Sequence, residues 1–228
     1  KKGNKQMASR HNYGSDFYNL TFKKMLKCEL LSFFGRLFSK KIIKTKKKYL
    51  NLGCGNDNLY LNDKFLHCDF YDFNFFNIFK KKSITYLDLR CRLPFADNTF
   101  EGCFSEHVLE HLYPNQAAYL MVEVLRVLKP GGVFRVIVPD IKIAIKYYNN
   151  VKDFSDGISR SGCEAIWDVS QNYEHKSLWD SQWLNFNLKK NGFSVSEEYQ
   201  FKISQNQDLL LDREDRKMNS IYIEAIKQ

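Results

Sequence analysis

The stretch Tyr49-Leu-Asn-Leu-Gly-Cys-Gly55, followed by Asp69, constrains this chain more than any other feature. A short strand-forming segment, Tyr49–Leu52, runs into a Gly-x-Gly turn. A second such segment, Phe65–Cys68, then stops at an acid. Glycines at the end of a strand let a ligand approach bare backbone, and a carboxylate ending the next strand suits the two hydroxyls of a ribose. A Gly-x-Gly turn alone is common in ordinary loops. With an acid correctly placed on the following strand, it is a nucleotide signal.

The pattern beyond this point alternates strands with helices, the order of an open α/β sheet. Ile84–Leu87 reads as a third strand stopping at Asp88, and Glu101–Ser105 as a fourth, followed by a helix containing Val108–Leu112. Gln116–Leu128 is an amphipathic helix closed by Lys129-Pro130-Gly131-Gly132, where proline cannot continue the helix and glycine permits reversal. Val133–Val138 is almost wholly apolar, as expected of a central strand covered on both faces. Ser181–Asn191 reads as a helix stopped by Gly192, and Phe193–Phe201 with Ser220–Ile226 as a closing antiparallel pair.

In order along the chain, these motifs resemble the class I S-adenosylmethionine-dependent methyltransferases. Leu50-Asn-Leu-Gly-Cys-Gly55 is similar to their first motif. Leu87-Asp88-Leu89 with Leu93-Pro-Phe-Ala-Asp-Asn-Thr-Phe100 resembles the third strand and the loop into the fourth. Ser105-Glu-His-Val-Leu-Glu-His-Leu112 and Glu123-Val-Leu-Arg-Val-Leu-Lys-Pro-Gly-Gly132 are also close to the family. A narrower likeness lies in Val138-Pro-Asp140, Glu174-His-Lys-Ser-Leu-Trp-Asp180, Asp212-Arg-Glu-Asp-Arg216 and Tyr222-Ile-Glu-Ala225. These resemble a branch of small, type 11-like methyltransferases associated with cell-surface polysaccharide biosynthesis.

The resemblance implies a Rossmann-like, mostly parallel seven-stranded sheet of order 3-2-1-4-5-7-6 with helices on both faces. It implies S-adenosylmethionine as cofactor and S-adenosylhomocysteine as product. By motif position, Gly53, Cys54, Gly55 and Asn56 lie against the methionine part, Asp69 holds the ribose, and Asp88 with Leu89 meets the adenine. Ser105 and Glu106 border the methionine and the methyl group. One departure stands out: nine residues separate Gly55 from Phe65, too few for the usual long first helix. That helix is therefore expected to be short or absent, with loop amides around Asn56–Asn58 taking its place.

Methyl transfer needs alignment of the acceptor and removal of one proton. A base near neutral pH is most naturally histidine. His175, in a loop flanked by Tyr173 and Trp179, and His107, just past the fourth strand, are the leading candidates, with Asp140 a third. Each also has a plain structural reading: a hydrogen-bonding loop histidine, or a helix cap for Asp140. His111 with Glu110 reads as structural. The aromatic group Tyr147, Tyr148, Trp167, Tyr173, Trp179 and Trp183 suits either stacking on a flat or sugar acceptor or an ordinary small core.

Charge divides the chain. Residues 1–48 carry fourteen Lys or Arg against Asp16 and Glu29, net +12, and the remainder is −3. Within this arm, Phe17–Ile43 has helical periodicity, with Phe22, Leu26, Leu30, Phe33, Phe34 and Leu37 on one face. Such a face either packs on its own domain, the more common outcome, or lies on an anionic membrane. Hence 1–48 is read as a basic arm with an amphipathic helix, and 49–228 as the methyltransferase domain. At 228 residues and 44% apolar content the chain builds one sizeable core. It shows no apolar run long enough for a membrane span, and no secretory leader is expected. The six cysteines have no metal-like spacing, so reduced thiols, no metal and a cytoplasmic location are expected, with a peripheral place on the inner face of a membrane left open by the basic arm.

The acceptor expected from these readings is an oxygen or nitrogen of a small molecule, saccharide or glycolipid. Two alternatives stay open. A nucleic-acid methyltransferase guided by the basic arm would lack the Asn/Asp-Pro-Pro-Tyr/Phe signature of base amino methylation. A catalytically silent protein that binds cofactor or a membrane partner is the other.

Overall fold

The computed structural model describes residues 22–38, 42–55, 62–70, 84–150 and 161–228. Seven strands form one sheet: β1 Tyr49–Leu52, β2 Phe65–Asp69, β3 Ile84–Tyr86, β4 Phe100–Glu106, β5 Leu128–Pro139, β6 Val195–Tyr199 and β7 Ser220–Ile226. Their spatial order is β3-β2-β1-β4-β5-β7-β6. β1 pairs in parallel with β2 and β4, while β7 runs antiparallel between β5 and β6. This is the order expected from the motifs, a Rossmann-like, mostly parallel sheet.

The helices are α1 Phe22–Phe38, α2 Pro114–Val127, α3 Ile141–Asn150, α4 Gly162–Gln171 and α5 Ser181–Lys190. α2 buries Ala117, Leu120, Met121, Val124 and Val127, the one-face spacing of a helix lying on a sheet. Beneath it β5 is buried from Val133 to Val138. The α2 residues with Phe134, Val136 and Val138 join Leu50, Leu52, Leu93, Phe95 and Phe100 in the main core, while Val133 and Ile137 belong to a second cluster with Tyr49 and Phe65.

Local chemistry moved several boundaries. α2 begins at Pro114, two residues before the expected start, because proline suits the first helical position and the Gln116 side chain accepts the Tyr113 N–H. The segment after β4 is only a 3-10 turn, Leu109–His111, in place of the expected helix. Lys129–Gly132 does not form a separate reversal. Leu128 already pairs with Phe100, the chain bulges outward, and the ladder resumes at Gly102 opposite Val133.

α1 packs the opposite way from the commoner expectation. Its buried residues are Cys28 and Ser32, while Leu26, Leu30, Phe33 and Phe34 are about half exposed, at 47–51%. The cause is charge pairing: Glu29 forms a two-pronged ion pair with Arg90, and Ser32 donates to Asp88 at 2.6 Å. The polar face thus docks on the loop after β3, and the apolar face turns outward. No described helix is long and apolar enough to cross a membrane, and none of the six cysteines forms a disulfide.

Candidate active site

The sheet order reverses direction between β1 and β4, which opens a crevice at the carboxyl ends of the strands. A cavity of about 500 Å³ lies there. Its wall includes Asn51, Gly53, Cys54 and Gly55 from β1 and its turn, Asp69 and Phe70 after β2, and Leu89 after β3. Phe104 and Glu106 from β4 complete the floor, and Met25, Cys28 and Glu29 of α1 form a roof over one end.

The glycine turn is held by Gly53 and Cys54 N–H groups donating to the Cys68 carbonyl at 2.8 and 3.1 Å. The two glycines do different work. A Cβ on Gly53 would stand 2.2 Å from Val108 Cγ2, so this glycine lets the turn pack against the segment after β4. Gly55, at φ +66°, has nothing within 4 Å of where a Cβ would be, and its backbone is open to the cavity. Asp69 borders the cavity with Oδ1 held by the Phe70 N–H at 2.7 Å. Bare backbone, a strand-ending carboxylate and an apolar wall at Leu89 fit an adenosyl cofactor.

Two expected cofactor contacts are placed differently. Ser105 is fully buried and does not reach the cavity, because strand alternation turns it away from the face shown by Phe104 and Glu106. Asp88 reaches the wall, but both its oxygens are taken by protein donors: Arg90 N–H, Nε and Nη2, Ser32 Oγ, and Arg36 Nη1 at 3.1 Å. Burial opposes its ionisation, yet these hydrogen bonds hold its pKa below the ordinary carboxylate value. Asp88 therefore anchors α1, and Leu89 beside it lines the cavity. Asn56 lies outside the described residues.

A second cavity, about 800 Å³, adjoins the first; His107, His111, Tyr173 and Arg216 line both. All three expected base candidates, His107, Asp140 and His175, line this second space. His107 Nε2 is 2.8 Å from Ser220 Oγ, and burial pushes its pKa down to about 2, so it is neutral at ordinary pH. His175 Nδ1 donates to the Val169 carbonyl at 2.8 Å, with its pKa also lowered by burial. Asp140 Oδ1 accepts the Lys142 N–H at 2.9 Å at the start of α3, the capping role weighed for it. Of the expected aromatic group, Tyr147 and Tyr173 line this cavity, whereas Trp179 is buried in the core.

Glu106 gains a property that its motif position did not reveal. Burial raises its pKa to about 7, although it accepts the Arg213 N–H at 3.1 Å. A carboxylate at the strand end with a pKa near neutrality suits proton removal. Arg213 and Arg216, from the terminal acidic-basic motif, also stand on the cavity wall. The sequence had given that motif no role.

Residues 50–136 match the family described as a methyltransferase domain. The sheet built around this segment has the class I methyltransferase fold. S-adenosylmethionine is the cofactor such a domain takes. No curated protein matches the chain. Among solved structures, a S-adenosylmethionine-dependent methyltransferase from Thermotoga maritima aligns with 91% of this chain and 95% of its own, at 15% identity and TM-score 0.53. A protein from Pyrococcus horikoshii covers 91% and 92% at 16% identity and TM-score 0.50. A Haloferax volcanii methyltransferase solved with a methyltransferase activator covers 89% and 92% at 13% identity and TM-score 0.50. At these identities the likeness is one of fold.

Proposed function

We propose that this methyltransferase moves the methyl group of S-adenosylmethionine to an oxygen or nitrogen of a small-molecule, saccharide or glycolipid acceptor. One observation carries the reading: the glycine-lined cavity at the switch point opens into a second cavity where His107, Asp140 and His175 converge. In this reading Gly53, Cys54 and Gly55 meet the methionine part, Asp69 holds the ribose hydroxyls, and Leu89 packs on the adenine. The bound cofactor supplies an electrophilic methyl group. Glu106 takes the acceptor proton, and His107 orients the acceptor as a neutral hydrogen-bonding group. The likeness to a polysaccharide-associated branch and the room in the second cavity favour a saccharide or glycolipid.

A ligand present at a hundred times its Kd stabilises a protein by about 2.7 kcal/mol. S-adenosylhomocysteine at that level therefore raises the melting temperature, and Asp69→Ala removes the rise. Labelled donor with pools of sugar nucleotides, glycolipids, RNA and small metabolites then identifies the acceptor. Transfer only to RNA, or no transfer and no thermal shift, contradicts the reading.

The same proposal extends to residues 17–48, as a contact with anionic membrane surface. The outward apolar face of α1, on an arm of net +12, supports it. Leu30→Glu/Phe33→Glu is expected to abolish sedimentation with anionic vesicles while leaving the thermal shift intact. Equal sedimentation of the variant removes the membrane contact.

A further inference from the structure

Among the described residues, Glu110 is the buried carboxylate that lacks hydrogen-bond partners. It is 1% exposed, and neither carboxylate oxygen has a hydrogen-bond partner in another described residue; only its own backbone N–H bears on it. The nearest ring nitrogen, His107 Nδ1, stands 3.5 Å away from Oε1 without a hydrogen bond. A buried, unsatisfied carboxylate is costly, and native proteins rarely keep one without a use.

Its surroundings supply the use. One ligand atom from each of Glu110, His111 and His175 lies within 4.8 Å of the others. The chain is built to bring them together. Lys176 and Ser177 N–H groups both donate to the Glu110 carbonyl, at 2.7 and 3.1 Å, and Ser177 Oγ donates to the Leu109 carbonyl. His175 is thereby pinned beside the turn that carries Glu110 and His111. The two imidazoles meet edge to face with centroids 5.0 Å apart.

His175 is also presented as a ligand. It spends its Nδ1–H on the Val169 carbonyl at 2.8 Å. That hydrogen bond fixes the tautomer and leaves Nε2 with a lone pair, the arrangement usual for a histidine on a metal. Two neighbouring histidines packed as plain core residues would explain the ring contact. They would leave the carboxylate between them unexplained.

We propose that Glu110, His111 and His175 hold a divalent transition-metal ion, with its remaining coordination positions facing the second cavity. Two imidazoles and one carboxylate are borderline donors that suit Zn²⁺ and its neighbours better than Mg²⁺ or Ca²⁺. In a tetrahedral site with bonds of about 2.1 Å the ligand atoms stand roughly 3.4 Å apart. Closing from 4.8 Å or less asks only for small side-chain rotations. The ion gives the Glu110 oxygens their missing partner. Cysteine takes no part, and the sequence expectation of no metal, drawn from cysteine spacing, did not bear on this cluster.

An ion with open positions here is a Lewis acid for the acceptor, because Glu110, His111 and His175 all line the second cavity. It binds the acceptor hydroxyl oxygen and lowers that hydroxyl's pKa. The proton passes to Glu106, and the oxygen lone pair forms the new C–O bond. The C–S bond breaks as it forms, and its electron pair stays on sulfur in S-adenosylhomocysteine. This catalytic role rests on the proposed methyl transfer. Metal binding does not.

The test uses the full chain, stripped with a chelator and dialysed against Zn²⁺, with bound metal measured by mass spectrometry. About one ion per chain is expected at micromolar Zn²⁺, weakened at least about 100-fold in Glu110→Gln and in His175→Asn. Circular dichroism checks that both variants fold. Co²⁺ substituted into the unaltered chain gives a second readout independent of any variant: visible bands of nitrogen and oxygen coordination without a thiolate charge-transfer band. Absence of binding below millimolar Zn²⁺ overturns the proposal. So does equal binding in both folded variants, or a thiolate band on Co²⁺. Metal bound as expected by a chain that transfers no methyl group keeps the site and removes its catalytic role.

Discussion

Two buried clusters of ionisable side chains lie beside β4, β5 and β7, and they are satisfied to very different degrees. In the first, Arg135 of β5 is fully buried yet bonded on every side. Asp212 and Glu224 take its Nε, Nη1 and Nη2 groups, with the Ile203 carbonyl as a further acceptor, and Tyr222 offers its ring face 5.5 Å away. In the second, Glu110 is as deeply buried and has no such partners. Complete pairing marks the Arg135 cluster as structure: it ties the loop carrying residues 200–212 to β5 and β7. Incomplete pairing beside a cavity marks the Glu110 cluster as a place kept for something else.

If that contrast is right, the largest effect comes from breaking the satisfied cluster. Removing one partner of a buried ion pair costs about 3–5 kcal/mol, because a charge is left uncompensated. Asp212→Ala is therefore expected to lower unfolding stability by that amount in urea denaturation of the chelator-treated chain. Glu110→Gln, which replaces a carboxyl group lacking a partner, should cost less than about 1 kcal/mol or stabilise. Similar losses in the two variants would break the comparison.

A smaller effect is expected at a third buried carboxylate, Asp88, which sharpens the contrast because it is satisfied partly from a distant element. Ser32→Ala deletes the 2.6 Å bond from α1. Hydrogen bonds to charged groups contribute about 1.5–3 kcal/mol. Arg90 still holds Asp88 in this variant, so the loss should sit near the lower figure. It should also loosen α1, seen as faster amide hydrogen exchange over residues 25–36. Unchanged exchange would mean that the Glu29–Arg90 and Arg36–Asp88 ion pairs hold the helix without Ser32.

The sheet was legible in the sequence because each of its signals is local. Apolar runs of strand length, the Gly53–Gly55 turn, Asp69 and the Pro130-Gly131-Gly132 segment each report on a few consecutive residues. What the sequence hid depends on what lies across from a residue. Periodicity identified the apolar face of α1 but not that Arg90 and Asp88 would claim the polar one. Motif position put Ser105 with Glu106, and only the alternation of β4 separates them. Glu110 and His111 looked structural because His175, which gives them a shared purpose, comes far along the chain. The run Glu106-His-x-x-Glu-His111, two acids and two histidines within one turn of chain, was the available hint.

The finest probe of the contrast is pH. Burial raises the pKa of Glu110 to about 8 and that of Glu106 to about 7, both above the ordinary value near 4.5. An acid whose folded pKa is raised binds its proton more tightly in the folded state. Between pH 4.5 and 8 the folded chain therefore holds more protons than the unfolded one, and stability falls as pH rises. The loss begins near 4.5, reaches at most about 1.4 kcal/mol per pH unit for each group, and ends as each group ionises in the folded state. Chelator-treated chain is thus expected to lose stability from pH 5 to 8, with Glu110→Gln flattening the upper part of the curve and Glu106→Gln the part below 7. Zn²⁺ should flatten it too, since an ion on the Glu110 carboxylate favours the charged form that burial disfavours. A curve that is level in the chelated chain would mean that Glu110 has found a partner in solution, and the two clusters would then be alike.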